Sequence, residues 1–119
     1  MSYVDGFVLA VPKKNLAKYR RIARLSATVW RDHGALAFKE CVADHLDTGM
    51  GLHFEKLVKP KRGETVVFSF VLFKSRAHRD RVNAKAVKDP RLAKLMQKGA
   101  MPFDVKRMAY GGFKPLVDA

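Results

Sequence analysis

The 119-residue sequence predicts an α+β fold, a ferredoxin-like sandwich in which helices cover one face of an antiparallel sheet. The first reason is the order of its candidate elements, which is strand, helix, strand, strand, helix, strand. The second is the run at residues 65–73, Thr-Val-Val-Phe-Ser-Phe-Val-Leu-Phe, which is apolar on both alternating sides. Because the helices cover only one side, we expect a homodimer whose two sheets pack face to face.

The first half of the chain predicts a strand, a long helix and a second strand. Residues 3–11 alternate in the way a strand does, and Pro12 closes them. From Asn15 onward, apolar residues recur every three or four positions, which indicates one face of a helix that Gly34 ends. Residues 35–44 are the second predicted strand.

The middle of the chain predicts an excursion and then the central strand. Residues 45–63 contain several glycines and prolines around a short apolar piece at Phe54, Leu57 and Val58. The run at residues 65–73 is the third strand. Ser75 is placed to cap the helix that follows.

The end of the chain predicts a short helix, a turn and a last strand. Asp89-Pro90 has the pattern of an N-cap followed by proline at the first helical position, and Gly99 is the expected end of that helix. Residues 101–103 indicate a rigid turn. The last strand is predicted over residues 105–117, where Gly111-Gly112 marks a bulge or a close approach of another backbone.

Composition limits the class of protein. The length predicts a single domain over residues 1–119, and one cysteine, Cys41, excludes an internal disulfide and a multi-cysteine zinc site. We expect a cytoplasmic protein without a signal peptide or a membrane partner. The net charge of +13 attracts polyanions, but the basic residues are dispersed, which favours solvated helix faces.

Two residues are candidates for acid–base catalysis, and each has a structural explanation beside the functional one. His33 follows the apolar helix face near Trp30, where it serves equally well as a helix-end residue. Asp5 interrupts the aromatic side of a central strand and needs a partner there. Arg107, on the expected neighbouring strand, is that candidate partner, either in a structural ion pair or as the holder of a substrate anion.

Other residues near the same region are weaker candidates. Tyr110 could donate a hydrogen bond there, and Asp104 lies at the adjacent turn. The four histidines show no ligand pair at helical spacing, so no metal site is predicted, and no cofactor signature is present. The candidate ligand-binding residues are therefore Asp5, Trp30, His33, Asp104, Arg107 and Tyr110.

An alternative function uses the third strand as a nucleic-acid platform. Phe68 and Phe70 have the aromatic spacing of an RNA-recognition motif strand, in a strongly basic chain. The leading basic residue and glycine of that motif are missing, and Val66-Val67 stands in their place. The same phenylalanines would equally serve a dimer core.

Several stretches together point to one family: 3–8 (Tyr-Val-Asp-Gly-Phe-Val), 30–36 (Trp-Arg-Asp-His-Gly-Ala-Leu), 40–42, 66–69, 89–91, 101–104, 106–108 and 110–113 (Tyr-Gly-Gly-Phe). They resemble the YbaA-like family of small bacterial proteins, and the match extends over almost the whole chain. The chain departs from that pattern at Val105, where glycine is usual, and at His45, where an acid is common.

The resemblance implies a dimeric α/β barrel of ferredoxin-like subunits, in a family recorded as a domain of unknown function. The wider superfamily includes cofactor-free oxygenases, lactone isomerases and haem-handling proteins, with pockets between the sheet and the helices. We therefore expect a homodimeric protein that binds a small organic molecule, an anion being one option, between helix and sheet. A cofactor-independent enzyme is compatible with this expectation, and a nucleic-acid-binding module is the alternative.

Overall fold

The protein is a four-stranded antiparallel sheet covered by helices on one face, as seen in a computed structural model that describes residues 2–96 and 101–119. The strand order is β2-β3-β1-β4, so the first and third strands are central, as predicted. The elements are β1 (Tyr3–Pro12), α1 (Leu16–Asp32), β2 (Ala37–Val42), α2 (Glu55–Val58), β3 (Glu64–Phe73), α3 (Arg76–Ala86), α4 (Pro90–Met96) and β4 (Ala109–Phe113).

The core lies between the helices and one face of the two central strands. Tyr3 pairs with Phe73 and Leu9 with Val67 across β1 and β3, so these side chains point to the same side. They pack with residues of α1 and α3 in two clusters of buried apolar residues. Val29 of α1 is fully buried. This packing positions α1 above the sheet, where a cavity remains between them.

The opposite face of the sheet is only partly covered. At one end, Val58 of α2 and Leu46 pack on Ala10 and Val66, so the excursion over residues 45–63 shields that end. Farther along the same face, the side chain of Phe68 is 42 % exposed. The apolar run at residues 65–73 therefore does have two apolar faces, but the chain itself covers one end of the second face.

The last strand is shorter than predicted. Within residues 105–117, a strand forms only at Ala109–Phe113, because Val105–Arg107 takes a 3-10 turn that the Asp104 carboxylate caps by accepting from the Lys106 N–H at 3.0 Å. The register from Ala109 to Phe113 is unbroken, so Gly111-Gly112 is not a bulge. The close neighbour at Gly112 is the ring of Tyr3 rather than another backbone.

The predicted helix starts are confirmed. Ser75 accepts a hydrogen bond from the His78 N–H at 3.1 Å, and Asp89 accepts one from the Arg91 N–H at 2.9 Å. Gly34, at φ +117°, follows the end of α1. The predicted helix end at Gly99 lies outside the described residues. Among the described helices, none combines the length and apolar composition that a membrane crossing requires.

Candidate functional site

A cavity of about 350 Å³ lies between α1 and the helix-facing side of the sheet. This volume falls within the usual range for small-molecule pockets. Its walls are mostly aromatic and aliphatic, and a small set of polar side chains interrupts them. The lining residues are Asp5, Phe7, Leu9, Tyr19, Ile22, Ala23, Ser26, Trp30, Phe38, Glu40, Ser69, Val71, Asn83, Val87, Met101, Phe103, Met108 and Tyr110.

Asp5 is the buried acid of this cavity, and three side chains hold its carboxyl group. Arg79 Nη1 donates to Oδ1 at 3.3 Å, Tyr110 donates to Oδ2 at 3.2 Å, and Asn83 Nδ2 lies 3.5 Å from Oδ2. Asp5 is only 2 % exposed. The backbone explains this position, because odd-numbered residues of β1 all point toward the helices.

Burial dominates the electrostatics of Asp5. The loss of water raises the pKa of its carboxyl group, and the neighbouring Arg79 cation and the hydrogen bonds from Asn83 and Tyr110 oppose this rise only in part. The pKa of the Tyr110 hydroxyl is also raised, first by burial and then by the Asp5 charge. A carboxyl group in this state gains and releases a proton closer to neutral pH than an exposed one does.

Two aromatic residues fix the orientation of the Asp5 cluster. The Tyr110 ring stacks on Phe7, with ring centroids 4.6 Å apart and an interplanar angle of 12°. The Trp30 Nε1–H donates to Asn83 Oδ1 at 2.9 Å, which directs the amide nitrogen of Asn83 toward Asp5. Trp30 therefore acts on Asp5 through Asn83.

A second polar pair lies across the cavity, between α1 and the edge strand β2. The Tyr19 hydroxyl donates to Glu40 Oε1 at 2.7 Å. The loss of water around the Glu40 carboxyl raises its pKa, while hydrogen bonds from Tyr19 and Ser69 act in the opposite direction. Burial, followed by the Glu40 charge, raises the pKa of Tyr19 far above its usual value. The cavity thus carries two carboxyl groups, Asp5 and Glu40, whose pKa values are both raised by burial.

The structure brings together three of the predicted site residues. Asp5, Trp30 and Tyr110 all line the cavity. The predicted pairing of Asp5 with Arg107 is wrong: Arg79 of α3 is the cation at Asp5, whereas Arg107 Nη1 and Nη2 donate to the carboxylate of Glu64 at 3.0 and 2.9 Å. The cause is the 3-10 turn at Val105–Arg107, which removes Arg107 from the strand beside Asp5.

The other two predicted residues have structural roles away from the cavity. His33 Nε2 lies 2.8 Å from Asp89 Oδ2, which joins the end of α1 to the start of α4. Arg91 reinforces this contact, since its Nη2 donates to Asp89 Oδ2 at 2.9 Å and its Nη1 to Asp32 at 2.8 Å. Asp104 caps its turn and is exposed.

Sequence reasoning missed the four polar residues that form the Asp5 cluster and the Tyr19–Glu40 pair beside those it named. Arg79 and Asn83 are four residues apart on α3, a spacing that places them on one helix face, but their neighbours are mostly charged and hide the signal. Tyr19 fits the apolar helix pattern, so its hydroxyl drew no attention. Glu40 lies in a six-residue strand whose alternation is weak.

The chemistry available here is acid–base chemistry and hydrogen bonding. Among residues 2–96 and 101–119, no three His, Cys, Asp or Glu side chains gather in a way that could hold a metal ion. Asp5 can donate a hydrogen bond when protonated and accept a proton when ionised. Glu40 offers the same options at the other wall.

The sequence matches a known family and several known proteins. The family described as "Protein of unknown function (DUF1428)" matches residues 2–105. The chain is 42 % identical over 118 residues to the "Uncharacterized protein YbaA" of Escherichia coli (strain K12) and, equally, to that of Shigella flexneri, covering 99 % of each chain.

A solved structure shares the architecture. The structure of Rv0793 from Mycobacterium tuberculosis superposes with a TM-score of 0.56 and 12 % sequence identity, covering 100 % of this chain and 99 % of that one. This likeness concerns the fold alone. From the sequence matches, the chain belongs to the YbaA-like family of proteins of unknown function (DUF1428).

Proposed function

We propose that the protein binds a small organic molecule in the cavity between α1 and the sheet, and that Asp5 exchanges a hydrogen bond or a proton with it. The observation that carries this proposal is a nearly fully buried carboxyl group, with its pKa raised by burial, on the wall of a largely apolar cavity. Carboxyl groups whose pKa is shifted by burial and by a specific charged partner, in a cleft, are concentrated at functional sites. A cofactor-independent acid–base reaction on the bound molecule is the corresponding enzyme activity.

The geometry of the Asp5 cluster supports positioning as well as proton exchange. Arg79, Asn83 and Tyr110 occupy oxygen lone pairs of Asp5 and fix the plane of its carboxyl group. Phe7 supports the Tyr110 ring from below by stacking. A ligand would therefore meet a preoriented acid, which lowers the entropy cost of reaching a reactive geometry.

We also propose that the protein is a homodimer, a dimeric α/β barrel in which two copies pack their open sheet faces together. On that face, Phe68 and Phe113 are 42 % and 62 % exposed, and Phe70 lies 6.4 Å from Phe68 between ring centroids. A contiguous apolar face of this kind is typical of association sites.

The same face is the one that the nucleic-acid alternative would use. Phe68 is exposed enough to stack on a base, but its ring already meets Phe54 edge to face, with centroids 6.1 Å apart. Of the strand residues on this face, only Lys39 is a cation. Backbone phosphates need flanking cations, so a second copy of the chain fits this surface better.

The cavity proposal is tested by filling the cavity. Ser26 lines it from α1, and its hydroxyl donates to the Ile22 carbonyl at 2.9 Å. We expect Ser26→Phe to abolish ligand binding. Thr28→Phe is the matched control, because Thr28 makes the same kind of bond to the Arg24 carbonyl at 3.2 Å but is exposed.

The measurement combines native mass spectrometry of the purified protein with thermal-shift screening of small metabolites. The expected result is a retained or stabilising molecule in the wild-type protein and in Thr28→Phe, and none in Ser26→Phe. Equal binding by all three proteins would place the ligand outside this cavity, and no stabilisation by any compound would refute the proposal.

The dimer is tested separately by analytical ultracentrifugation. Phe68→Glu places a charge in the proposed interface and should give monomers, whereas Val105→Glu places one on an exposed 3-10 turn and should not. A wild-type monomer at micromolar concentration would contradict the dimer. Salt-sensitive RNA retention that disappears when Phe68 and Phe70 are changed to Ala would favour the alternative.

A further inference from the structure

A second depression adjoins the cavity, on the outer side of α1. It has a volume of about 470 Å³ and lies between α1 and the edge strand β2. Four residues line both spaces: Tyr19, Ala23, Phe38 and Glu40. The outer groove and the inner cavity are therefore neighbouring spaces that have these four residues as a common wall.

Two arginines of α1 line the outer groove. Arg20 and Arg24 are four residues apart, so both lie on the same side of the helix. Both are exposed, and within the described parts of the chain neither guanidinium group has a hydrogen-bond or ion-pair partner. This distinguishes them from Arg79, Arg91 and Arg107, which all hold carboxylates.

From this arrangement we infer that the ligand of the cavity carries an anionic group, a carboxylate or a phosphate, which Arg20 and Arg24 bind in the outer groove while its apolar body occupies the inner cavity. The inference rests on the proposed function. From the sequence, Arg107 was a candidate for binding a substrate anion, and this inference assigns that role to Arg20 and Arg24 instead. Arginine suits this task because its guanidinium group forms paired hydrogen bonds with carboxylate and phosphate oxygens.

Two further features favour an anion at this position. The net charge of +13 produces a field that attracts anions to the surface. Glu40, which also lines the groove, opposes an anion there when it is ionised; burial raises the pKa of its carboxyl group, and the hydrogen bond from the Tyr19 hydroxyl acts in the opposite direction. The groove therefore presents two cations, Arg20 and Arg24, against one carboxyl group.

The test compares an acid with its neutral analogue. 4-Phenylbutyrate has an apolar body and a carboxylate, and 4-phenylbutyramide has the same shape without the charge. The chain has a single tryptophan, Trp30, which lines the inner cavity, so its fluorescence reports occupancy directly. We expect the acid to bind about tenfold more tightly than the amide to the wild-type protein.

Two pairs of variants distinguish binding by Arg20 and Arg24 from attraction by the net positive charge of the whole protein. Arg20→Gln combined with Arg24→Gln should remove the preference for the acid and leave amide binding unchanged. The control pair is Arg21→Gln with Lys14→Gln, which deletes two exposed cations, one on α1 and one just before it, that do not line the groove. A control pair that lowers acid binding as much as the groove pair would overturn the inference.

The failure of this inference differs from failure of the proposed function. The wild-type protein could bind the acid and the amide with equal affinity, and Ser26→Phe could lose both. That result would overturn the anion site but support ligand binding in the cavity. If neither compound changes Trp30 fluorescence, the anion site is overturned for this ligand class, and the cavity proposal then depends on the metabolite screen alone.

Discussion

Replacing Gly112 by alanine should destabilise the fold and disturb the Asp5 cluster. A Cβ atom at Gly112 would lie 2.7 and 2.8 Å from Cε2 and Cζ of the Tyr3 ring, well inside the ~3.5–4.0 Å separation that carbon atoms prefer. The Tyr3 ring cannot move freely, because it is buried against Phe73 and stacked beneath the Arg79 guanidinium at 5.0 Å. Forcing such an overlap typically costs about 1–3 kcal/mol.

For a domain of this size, that cost corresponds to a fall in melting temperature of about 4–12 °C. Tyr3 also accepts a hydrogen bond from Arg79 Nη2 at 3.4 Å, so a displaced ring would move the cation that holds Asp5. Urea unfolding and calorimetry measure the stability loss. A proton NMR titration of Asp5 measures the second effect.

Gly111→Ala is the matched control. Its Cβ would meet only Phe113 ring atoms, at 3.8 and 3.9 Å, which is ordinary contact. Neither glycine has a positive φ, so the backbone accepts alanine at both positions. Gly111 faces the open side of the sheet, so a loss that depends on protein concentration would report self-association. A concentration-independent loss in Gly111→Ala equal to that in Gly112→Ala would refute the reasoning.

Three further predictions follow from single contacts. Burial raises the pKa of the Glu40 carboxyl group in the folded protein. Protonated Glu40 therefore stabilises the fold fully below the pKa of the unfolded chain, and this contribution is lost as the pH rises through the pKa of the folded protein. Urea unfolding from about pH 4 to about pH 8 should therefore show wild type losing stability relative to Glu40→Gln, and a constant difference would contradict this. Arg91 and His33 lower the pKa of Asp89, so Asp89→Asn should be less stable than wild type near neutral pH, with the gap closing as pH falls through the acid range; a gap that widens in acid would exclude this role. Ser75→Ala should lose about 1 kcal/mol of stability by removing the α3 cap, and Ser75→Asp should retain it; equal losses in thermal melts would show that the cap contributes nothing.

The fold was predictable because the elements that define it have strong local signals. The two-sided apolar run of β3 and the alternation of β1 identify the central strands, and Ser75 and Asp89 identify two helix starts. The length of β4 was not predictable, because a side-chain cap at Asp104 competes with strand pairing over the three residues that follow.

The candidate site was predictable only in part, because its contacts join distant segments. The alternation of β1 identified Asp5 as an acid on an aromatic face. Its partners Arg79 and Tyr110 lie 74 and 105 residues away in the chain, and only the tertiary packing shows which cation reaches it. Arg107 was the wrong choice because the turn before β4 directs it to Glu64.

The most direct test is a crystal structure of the wild-type protein with the compound that gives the largest thermal stabilisation. The proposed function predicts density between α1 and the sheet, with a polar ligand atom within about 2.6–3.2 Å of the Asp5 carboxyl group. The compound bound elsewhere, with the aromatic side chains of Phe7 and Phe103 closing the cavity, would contradict it.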